Sequence, residues 1–497
     1  MKTKVLSTTD KAISTAAALV AKGEIVAMPT ETVYGLAAVA YNAKAVESIF
    51  DIKERPLDNP LIAHISSLDM LEHLCDNVPE LALTLADFYW PGPLTMVLPK
   101  SKYVPDAVTT GLSTVAVRMP SHPAALALID AVHMPLAAPS ANKSGRPSPT
   151  KAEHVYADLA GEIPLILDGG DCEVGIESTV ILVEESKITL LRPGAVTPEE
   201  LSDFAPVHID EHIIGNAEGV VLSPGMKHKH YAPKCKITLV RGTDKKIEGV
   251  RKTHQIYDTP SMEMLFTFLR GLDERGEQSA FVRLPKPVGK ELAIYNRLLR
   301  AADFNVLELP VIVGLTGGIG TGKTTASKAF EQAGFFIINA DEIAHKVTAP
   351  GTACANKILE AFGRVTRTHL AELVFKNEDA REKLNEITHP YITYEVKKLI
   401  NNSKERFVLI DAPLLFDVPE IAELCDVTVN IAAPKDVRIE RIVKRNGISE
   451  QKAVARIDAQ HEDEWYAQRT DYTVENVKDE KYLFEKLKNI IEKIKQV

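Results

Sequence analysis

The fold of the C-terminal part of the chain is decided by residues 311–325, which read VIVGLTGGIGTGKTT. An apolar strand leads into a glycine-rich loop, and the helix-forming segment 326–330 follows. Gly317, Gly322, Lys323 and Thr324 match the G-x-x-x-x-G-K-[ST] spacing of a phosphate-binding loop. In such loops backbone N–H groups surround the phosphates, the lysine reaches the terminal phosphates and the hydroxyl binds Mg²⁺. The sequence therefore predicts a nucleotide site with Mg²⁺ at Thr324, at the start of a separate domain.

Length and composition indicate a soluble protein of several domains. The 497 residues exceed what one hydrophobic core supports, and a net charge of −10 argues against a general nucleic-acid binder and against direct binding of tRNA. No segment has the length and apolarity of a signal peptide or membrane span, so we expect a cytoplasmic protein. The cysteines form no C-x-x-C pair, which predicts neither a disulfide framework nor a zinc site; they are Cys75, Cys172, Cys235, Cys354 and Cys425.

Composition shifts along the chain divide it into four parts. Residues 1–205 alternate apolar strands with helical segments and are expected to form an α/β domain. An ordered linker is predicted over 206–234, where the periodicity fades and proline, glycine and basic residues gather. A small accessory α/β domain should follow over 235–309, and a P-loop domain with a parallel sheet over 310–497.

Polar motifs recur at predicted strand ends in the N-terminal domain. Residues 28–36, MPTETVYGL, place hydroxyls, a carboxylate and a glycine in one turn after a strand. Lys53 and Arg55 lie on a proline-stiffened loop ahead of His64, an arrangement suited to polyphosphate. No G-x-S-x-G motif or Cys/His pair is present, so a covalent nucleophile is not expected.

These motifs resemble the YrdC-like L-threonylcarbamoyladenylate synthase family over about residues 5–309. The linker signature SPGM at 223–226, followed by HYAP at 230–233, and the segment Asn296-Arg297-Leu298 of the accessory domain belong to the same resemblance. It implies a YrdC-like fold and a reaction that joins L-threonine, bicarbonate and ATP into threonylcarbamoyl-AMP with release of pyrophosphate. The product would pass to a tRNA threonylcarbamoyl transferase for modification of an adenosine beside the anticodon.

The resemblance also implies roles for individual residues. Lys53 and Arg55 would act in catalysis as well as in binding of the ATP phosphates. Threonine would be held by Thr32, His64, Arg118, Ser140 and Ser178. ATP would be held by Lys53, Arg55, Asn59, Thr114, Asn142, Thr150, Arg192 and Tyr231.

Further motifs follow the phosphate loop in the C-terminal domain. Residues 335–341 predict a second strand that ends in a carboxylate, and the apolar residues 407–411 predict a buried parallel strand that again ends in an aspartate. Asp341 and Asp411 should therefore lie at the carboxyl edge of the sheet. Arg438, Arg441 and Arg445 recur at intervals of three and four residues, which places them on one helix face. Beside a phosphate loop, such a face is typical of a lid that neutralises a transferring phosphoryl group.

Residues 311–476 resemble dephospho-CoA kinase, in the ordered set of these motifs and of ITHP at 387–390. The resemblance implies transfer of the ATP γ-phosphate to the ribose 3′-hydroxyl of dephospho-CoA. Asp341 would activate that hydroxyl, with Arg367 and His389 holding the acceptor, and Asn339 stands where the family usually has a second acid. ATP would be bound by Gly318, Ile319, Gly320, Thr321, Gly322, Lys323, Thr324, Thr325, Arg441 and Arg445, with Lys323 also catalytic.

Two other interpretations remain open at this point. The first is an RNA-binding YrdC-like module fused to an inactive kinase-like scaffold. The second is a small-molecule kinase with another acceptor, since a phosphate loop and a lid do not name the acceptor.

Overall fold

The computed structural model describes residues 2–213, 231–363 and 366–495. The chain forms two compact units, one of Met1–Val240 with His254–Leu307 and one of Arg241–Thr253 with Glu308–Val497. None of the helices in the described ranges has the length and apolarity needed to cross a bilayer. The predicted fold class is confirmed, since an α/β domain, a small α/β domain and a parallel-sheet domain follow one another. The four domain boundaries stay predictions, and most of the proposed linker, residues 214–230, lies outside the described residues.

The first part of unit one, residues 2–213, is built around a large mixed sheet. Its described strands have the order β1-β8-β2-β3-β7-β4-β6-β5-β9-β10-β11. The strands are β1 Lys4–Ser7, β2 Val26–Met28, β3 Gly35–Val39, β4 Ile62–His64, β5 Leu94–Pro99, β6 Thr114–Arg118, β7 Leu136–Ala137, β8 Leu165–Asp168, β9 Thr179–Val183, β10 Ile188–Arg192 and β11 Val207–Ile209. The helices are α1 Asp10–Ala21, α2 Ala43–Lys53, α3 Asp69–Leu74, α4 Glu80–Tyr89, α5 Asp106–Thr109, α6 Pro123–Val132, α7 Ala152–Leu159 and α8 Pro198–Ser202, with a 3₁₀ turn at Glu211–Ile213.

Burial of this sheet on both faces explains why its strands are apolar. Every residue of β3 is buried, because alternate side chains enter two separate cores on the opposite faces of the sheet. The parallel pairing of β4 with β6 puts His64 directly beside Arg118. Polar residues such as His64 and Arg118 stand at strand ends, and the sheet brings several of these ends together at one place.

The accessory part of unit one carries a smaller sheet with the order β13-β14-β12-β15. The elements of this stretch are β12 Lys236–Arg241, α9 Asp244–Arg251, β13 Ile256–Tyr257, α10 Leu265–Glu274, β14 Ser279–Arg283, α11 Glu291–Ala301 and β15 Val306–Glu308. Helix α10 buries Leu265, Phe266 and Leu269 on one face. Helix α11 is buried from Leu292 to Ala301, including its arginines. Buried arginines require acceptors, so this helix is tied to its surroundings by polar contacts as well as by packing.

Unit two is built on a five-stranded parallel sheet, in the order β17-β18-β16-β19-β20 over the described residues. Its remaining elements are β16 Val311–Thr316, α12 Lys323–Gln332, β17 Phe336–Asn339, α13 Ala340–Val347, α14 Ala353–Phe362, α15 Arg367–Lys376, α16 Glu378–Asn402, β18 Phe407–Asp411, a 3₁₀ turn at Leu415–Asp417, α17 Pro419–Ala422, β19 Val427–Ala432, α18 Lys435–Asn446, α19 Glu450–Asp458, α20 Asp463–Ala467, β20 Tyr472–Glu475 and α21 Glu480–Lys495. Strand β16 is buried throughout, as its apolar sequence requires. Its register with β18 and β17 brings Asn339, Asp411 and the start of the phosphate loop to one edge.

The segment 241–253 belongs to unit two although it follows β12 of the accessory sheet. The buried carboxylate of Asp426 accepts hydrogen bonds from the backbone N–H of Ile312 at 2.8 Å and from the Thr243 hydroxyl at 3.0 Å. Lys245 donates to the carbonyl oxygen of Cys425 at 2.8 Å. Helix α9 is thereby fastened to the beginning of β16, the strand that leads to the phosphate loop.

Candidate active sites

A polar cleft opens in unit one where β2, β4, β6, β7, β9 and β10 end. It encloses about 740 Å³ of empty space, its mouth included. All five residues predicted to hold threonine line it, as do five of those predicted to hold ATP. These residues are Thr32, His64, Arg118, Ser140, Ser178, Lys53, Arg55, Asn142, Arg192 and Tyr231. Side chains separated by up to about two hundred positions in the sequence are thus collected in one cleft.

Three residues predicted to hold ATP do not line the cleft. Asn59 is buried and offers its backbone carbonyl to Arg55 at 3.0 Å. Thr114 begins β6 in register with Pro99. The Thr150 hydroxyl lies 3.3 Å from that of Thr267 in the accessory part. Their predicted contacts with ATP stay untested predictions.

A tight turn at Thr30 fixes the threonine-side wall of the cleft. The Thr30 hydroxyl donates to the Val33 carbonyl at 2.6 Å and accepts from the backbone N–H groups of Thr32 and Val33. It also lies 2.9 Å from the Thr32 hydroxyl. Because the turn's N–H groups are satisfied locally, the turn can stay buried without a regular ladder.

Arg118 is already engaged on three sides. Its Nε donates to the Gly92 carbonyl at 3.2 Å and its Nη1 to the Thr32 hydroxyl at 2.8 Å. The Nη2 atom lies 2.6 Å from the Glu31 carboxylate, but the N–H bonds of Nη2 do not point at the carboxylate oxygen. This contact is therefore an ion pair without a hydrogen bond. Burial raises the pKa of Glu31, but the Arg118 charge and hydrogen bonds outweigh it and leave the pKa below its usual value. Sequence reasoning included Glu31 in a motif and missed its role as the counter-charge of Arg118.

His64 is neutral in the folded protein. Burial, reinforced by the Arg118 charge, lowers the pKa of His64 to about 3. Its Nδ1 lies 3.2 Å from the Ile62 carbonyl, which favours the tautomer protonated at Nδ1. The other ring nitrogen is then an acceptor, a suitable partner for a hydroxyl or ammonium group.

Lysine and arginine side chains line the opposite side of the cleft. Lys53 is almost fully buried and donates to the carbonyl oxygens of Ser140 and Asn142. Burial, with the Arg55 charge beside it, holds the pKa of Lys53 well below its usual value. Burial also lowers the pKa of Arg55 and of Arg192 to about 10 each. Cations that repel one another in a buried cleft favour an anionic ligand.

A second cleft, of about 1450 Å³ with its mouth included, surrounds the phosphate loop of unit two. Most of the residues predicted to act in unit two line this cleft. Thr321 does not line it: the residue is buried behind the loop, and its hydroxyl donates to the Gly318 carbonyl at 2.9 Å. The lining members are Gly318, Ile319, Gly320, Gly322, Lys323, Thr324, Thr325, Asp341, Arg441 and Arg445. Among the described residues no group of three His, Cys, Asp or Glu is placed to hold a metal ion.

The phosphate loop requires glycine at position 322, because the backbone there is left-handed and a neighbouring side chain lies too close to leave room for a Cβ. Gly322 has φ of +98°, and a Cβ there would lie 2.2 Å from the Asn476 amide nitrogen. The Asn476 side chain itself donates to the Thr321 carbonyl at 2.8 Å. Lys323 forms an ion pair with Asp411 at the end of β18. Asn476 and Asp411 were not predicted as site residues. The sequence offered a clue only for Asp411, because it ends a predicted strand.

Asn339 caps the helix that carries Asp341. Its side-chain oxygen accepts from the N–H groups of Asp341 at 3.0 Å and Glu342 at 3.2 Å. Asp341 therefore sits in the first turn of α13, exposed, where the helix dipole favours a negative charge. The residue that replaces the family's usual acid thus has a structural function of its own.

The three arginines of α18 are not equivalent. Arg438 is buried and donates to the Ile319 carbonyl at 2.9 Å, with Asp463 as its ion-pair partner at 3.2 Å. Arg441 donates to the Lys478 carbonyl at 2.9 Å, whereas Arg445 is exposed and bonds to its neighbour Asn446. Arg438 supports the phosphate loop from behind, so only Arg441 and Arg445 face the cleft.

His389, one of the two residues predicted to hold the acceptor, does not line this cleft. It lies on α16 and is half-buried. Burial lowers the pKa of His389, opposed by the charges of Glu420 and Asp417. Arg367 begins α15, and its side chain lies outside the described part of the structure.

Unit one thus has a cleft lined by cations, and unit two has a cleft around its phosphate loop. Known families match the same regions. Residues 18–194 match the Sua5, YciO and YrdC family described as telomere recombination, residues 196–262 the C-terminal domain of threonylcarbamoyl-AMP synthase, and residues 311–481 dephospho-CoA kinase.

Individual relatives agree with this division. The threonylcarbamoyl-AMP synthase of Pyrococcus abyssi is 41% identical over 327 residues, covering 60% of this chain and 96% of that protein. A crystal structure of P. abyssi Sua5 complexed with L-threonine is similar with a TM-score of 0.58 and 39% identity, covering 62% of this chain and 99% of that one. The dephospho-CoA kinase of Bacillus licheniformis is 34% identical over 183 residues, 34% of this chain and 89% of that protein.

The chain belongs to the threonylcarbamoyl-AMP synthase family in its N-terminal part and to the dephospho-CoA kinase family in its C-terminal part. The two resemblances seen in the sequence are confirmed, and so is the expectation of an enzyme.

The state of His64 can be tested by titration. We expect its ring resonances to stay constant between pH 5 and 8, because the folded-state pKa is about 3. In the urea-unfolded chain the same ring should titrate near about 6.5. The unfolded state alone takes up the proton, so His64 lowers stability as pH falls from about 6.5 toward 3 and adds no pH dependence above that range. A His64→Gln variant should lack this contribution, and a folded-state titration near neutrality would contradict the assignment.

Proposed function

We propose that unit one makes L-threonylcarbamoyladenylate from L-threonine, bicarbonate and ATP. The observation that carries the proposal is the joining, in one cleft, of the Arg118 and His64 wall with the Lys53, Arg55 and Arg192 wall. The first suits a small zwitterion and the second a polyphosphate. The threonine complex of the P. abyssi relative supports the first assignment.

The reaction needs placement and charge neutralisation more than proton transfer. The threonine amine attacks the carbon of bicarbonate, and water leaves to give a carbamate. A carbamate oxygen then attacks the α-phosphorus while pyrophosphate leaves. Lys53, Arg55 and Arg192 would stabilise the charge that develops on the phosphates, because buried cations act more strongly than solvated ones. His64, being neutral, would accept a hydrogen bond from threonine without competing for its carboxylate. The product is a mixed anhydride suited to transfer onto tRNA by a separate transferase.

We further propose that unit two transfers the ATP γ-phosphate to the ribose 3′-hydroxyl of dephospho-CoA. Lys323 would exchange Asp411 for the terminal phosphates when ATP enters, and Arg441 and Arg445 would close over them. Asp341 would orient the acceptor hydroxyl and take its proton. Arg367 and His389 remain the proposed acceptor contacts.

The phosphate-loop cleft also fits Mg²⁺. Its glycines leave the loop backbone open where a Cβ would intrude, and the Thr324 hydroxyl and Asp341 carboxylate at the same cleft are hard oxygen donors. Thr324 would be the principal protein ligand. When bound, Mg²⁺ neutralises charge on the β- and γ-phosphates.

The two activities should be separable by a single substitution. Lys323→Ala is expected to abolish CoA formation, because the terminal phosphates lose their lysine, and to leave threonine-dependent pyrophosphate release near wild type. Lys328→Ala, exposed on the same helix, is the matched control. Both products are followed in one preparation whose folding is checked by thermal melting. Loss of both activities in a folded Lys323 variant would refute the two-site interpretation.

Arg118→Lys should chiefly impair use of threonine. The lysine keeps the charge beside Glu31 but loses the planar fork, a contact of about 1.5–3 kcal/mol. We expect the KM for threonine to rise about 10–100-fold, measured by initial rates of pyrophosphate release. Arg275→Lys, at an exposed ion pair with Glu277, should change nothing. An unaltered threonine dependence would remove Arg118 from the substrate site.

Asp341→Asn should lower kinase turnover by about 10²–10⁴-fold, the usual contribution of a general base. ATP binding should persist, because the phosphate loop is untouched. The Asn339→Asp variant is measured alongside it. Because Asp caps helices as well as Asn does, turnover of this variant at saturating dephospho-CoA should be equal to wild type or higher. A normal rate in the Asp341 variant would mean that positioning alone carries the reaction.

A further inference from the structure

We infer that Arg297, on helix α11 of the accessory part, is a positioning residue of the proposed synthase site: it neutralises Glu177 and so leaves Arg192 available to the phosphates of ATP. The inference rests on the proposed function of unit one. Arg297 lies about a hundred positions after β10, the last strand of the main sheet that contributes a residue to the cleft.

Glu177 is a buried carboxylate in the wall of the ATP cleft. Its side chain lines the cleft but is only 7% exposed. One oxygen accepts from the Ser148 hydroxyl, and the other accepts from Arg297 Nε at 2.9 Å. Arg297 is itself completely buried, so the pair is shielded from solvent and from salt.

Arg192 is the second cation that acts on Glu177. Its Nε and Nη2 donate to the Ser178 carbonyl at 3.1 and 3.0 Å, and Nη2 also reaches the Ser178 hydroxyl at 3.1 Å. These hydrogen-bond partners are neutral, so the Glu177 carboxylate is the negative charge that acts on Arg192. Burial raises the pKa of Glu177, and the charges of Arg297 and Arg192 bring it below its usual value. The other titratable groups that act on this cluster are Lys53, Arg55, Arg118, Tyr231 and Arg300.

The charge balance of the cluster explains the function of Arg297. With Arg297 present, Glu177 and the two arginines carry a net charge of +1, which is available to an anionic ligand. Without it, Glu177 and Arg192 would neutralise each other, and ATP phosphates would have to compete with a buried carboxylate for Arg192. The Arg297 guanidinium also lies 5.5 Å from the ring centre of Tyr231, so the same residue contacts a predicted ATP ligand.

The test removes the positive charge of Arg297 and then, in a second variant, also removes the negative charge of Glu177. Arg297→Met should raise the KM for ATP by about tenfold or more at saturating threonine, with a smaller change in kcat. Adding Glu177→Gln removes the unmatched carboxylate and should return the KM for ATP toward wild type. The KM of the Arg297 variant should also fall as pH is lowered, because protonation of Glu177 frees Arg192. Arg270→Met, which breaks the equally buried pair with Asp158, controls for simple loss of an interdomain ion pair.

Binding measurements keep this inference separate from the proposed activity. The dissociation constant of ATP is measured by equilibrium dialysis in a Lys323→Ala background, where the second nucleotide site is weakened. Absence of threonine-dependent pyrophosphate release in the wild type would refute the proposed function, and the ATP constants would still test the role of Arg297. If the ATP dissociation constant of the Arg297→Met variant lies within twofold of the wild-type value, the inference is overturned. It is also overturned by a double variant as impaired as the single one, because the proposed competition for Arg192 requires the Glu177 carboxylate.

Discussion

Both clefts depend on cations that are buried before any substrate arrives and that must be stabilised inside the protein. A buried charge without partners costs several kcal/mol, so each one has an acceptor built from the fold. Lys53 uses backbone carbonyls, Arg118 uses Glu31, and Lys323 uses Asp411. The choice of acceptor determines what a ligand must displace. Carbonyl oxygens leave the positive charge available, whereas a carboxylate must be outcompeted or neutralised by another cation.

This distinction separates the two walls of the cleft in unit one. On the wall proposed to bind threonine, Arg118 is balanced by Glu31. On the wall proposed to bind ATP, Lys53 and Arg192 have neutral hydrogen-bond acceptors, and Glu177 is balanced from the accessory part by Arg297. This difference supports the proposal that a small zwitterion binds on the first wall and a polyphosphate on the second. The accessory part contributes to the electrostatics of the site as well as to stability.

Unit two shows a similar dependence on residues remote from its reacting groups. Asp426 holds the backbone of Ile312 at the start of the strand that leads to the phosphate loop, and it is held by Thr243. Arg438 fixes the loop from behind through the Ile319 carbonyl. A phosphate loop relies on the position of its backbone N–H groups, so contacts that anchor its two ends and its middle bear directly on nucleotide binding. Segment 241–253 precedes the phosphate loop by about sixty residues, and yet it is part of the unit that carries the loop.

The sequence alone determined the fold classes and most of the cleft residues. Local patterns are sufficient for these features, because a phosphate loop, an aspartate at a strand end such as Asp411, and apolar runs such as 311–316 are defined by neighbouring residues. Motif order then assigned Arg118, His64 and Arg192 to one cleft. Only the tertiary structure decided which acceptor each buried cation has. The partnerships of Arg118 with Glu31, of Arg297 with Glu177 and of Arg438 with Ile319 join chain segments whose separations follow no local period. The same reason explains why Arg438 supports the loop rather than the lid, since burial depends on the surrounding elements and not on spacing along one helix.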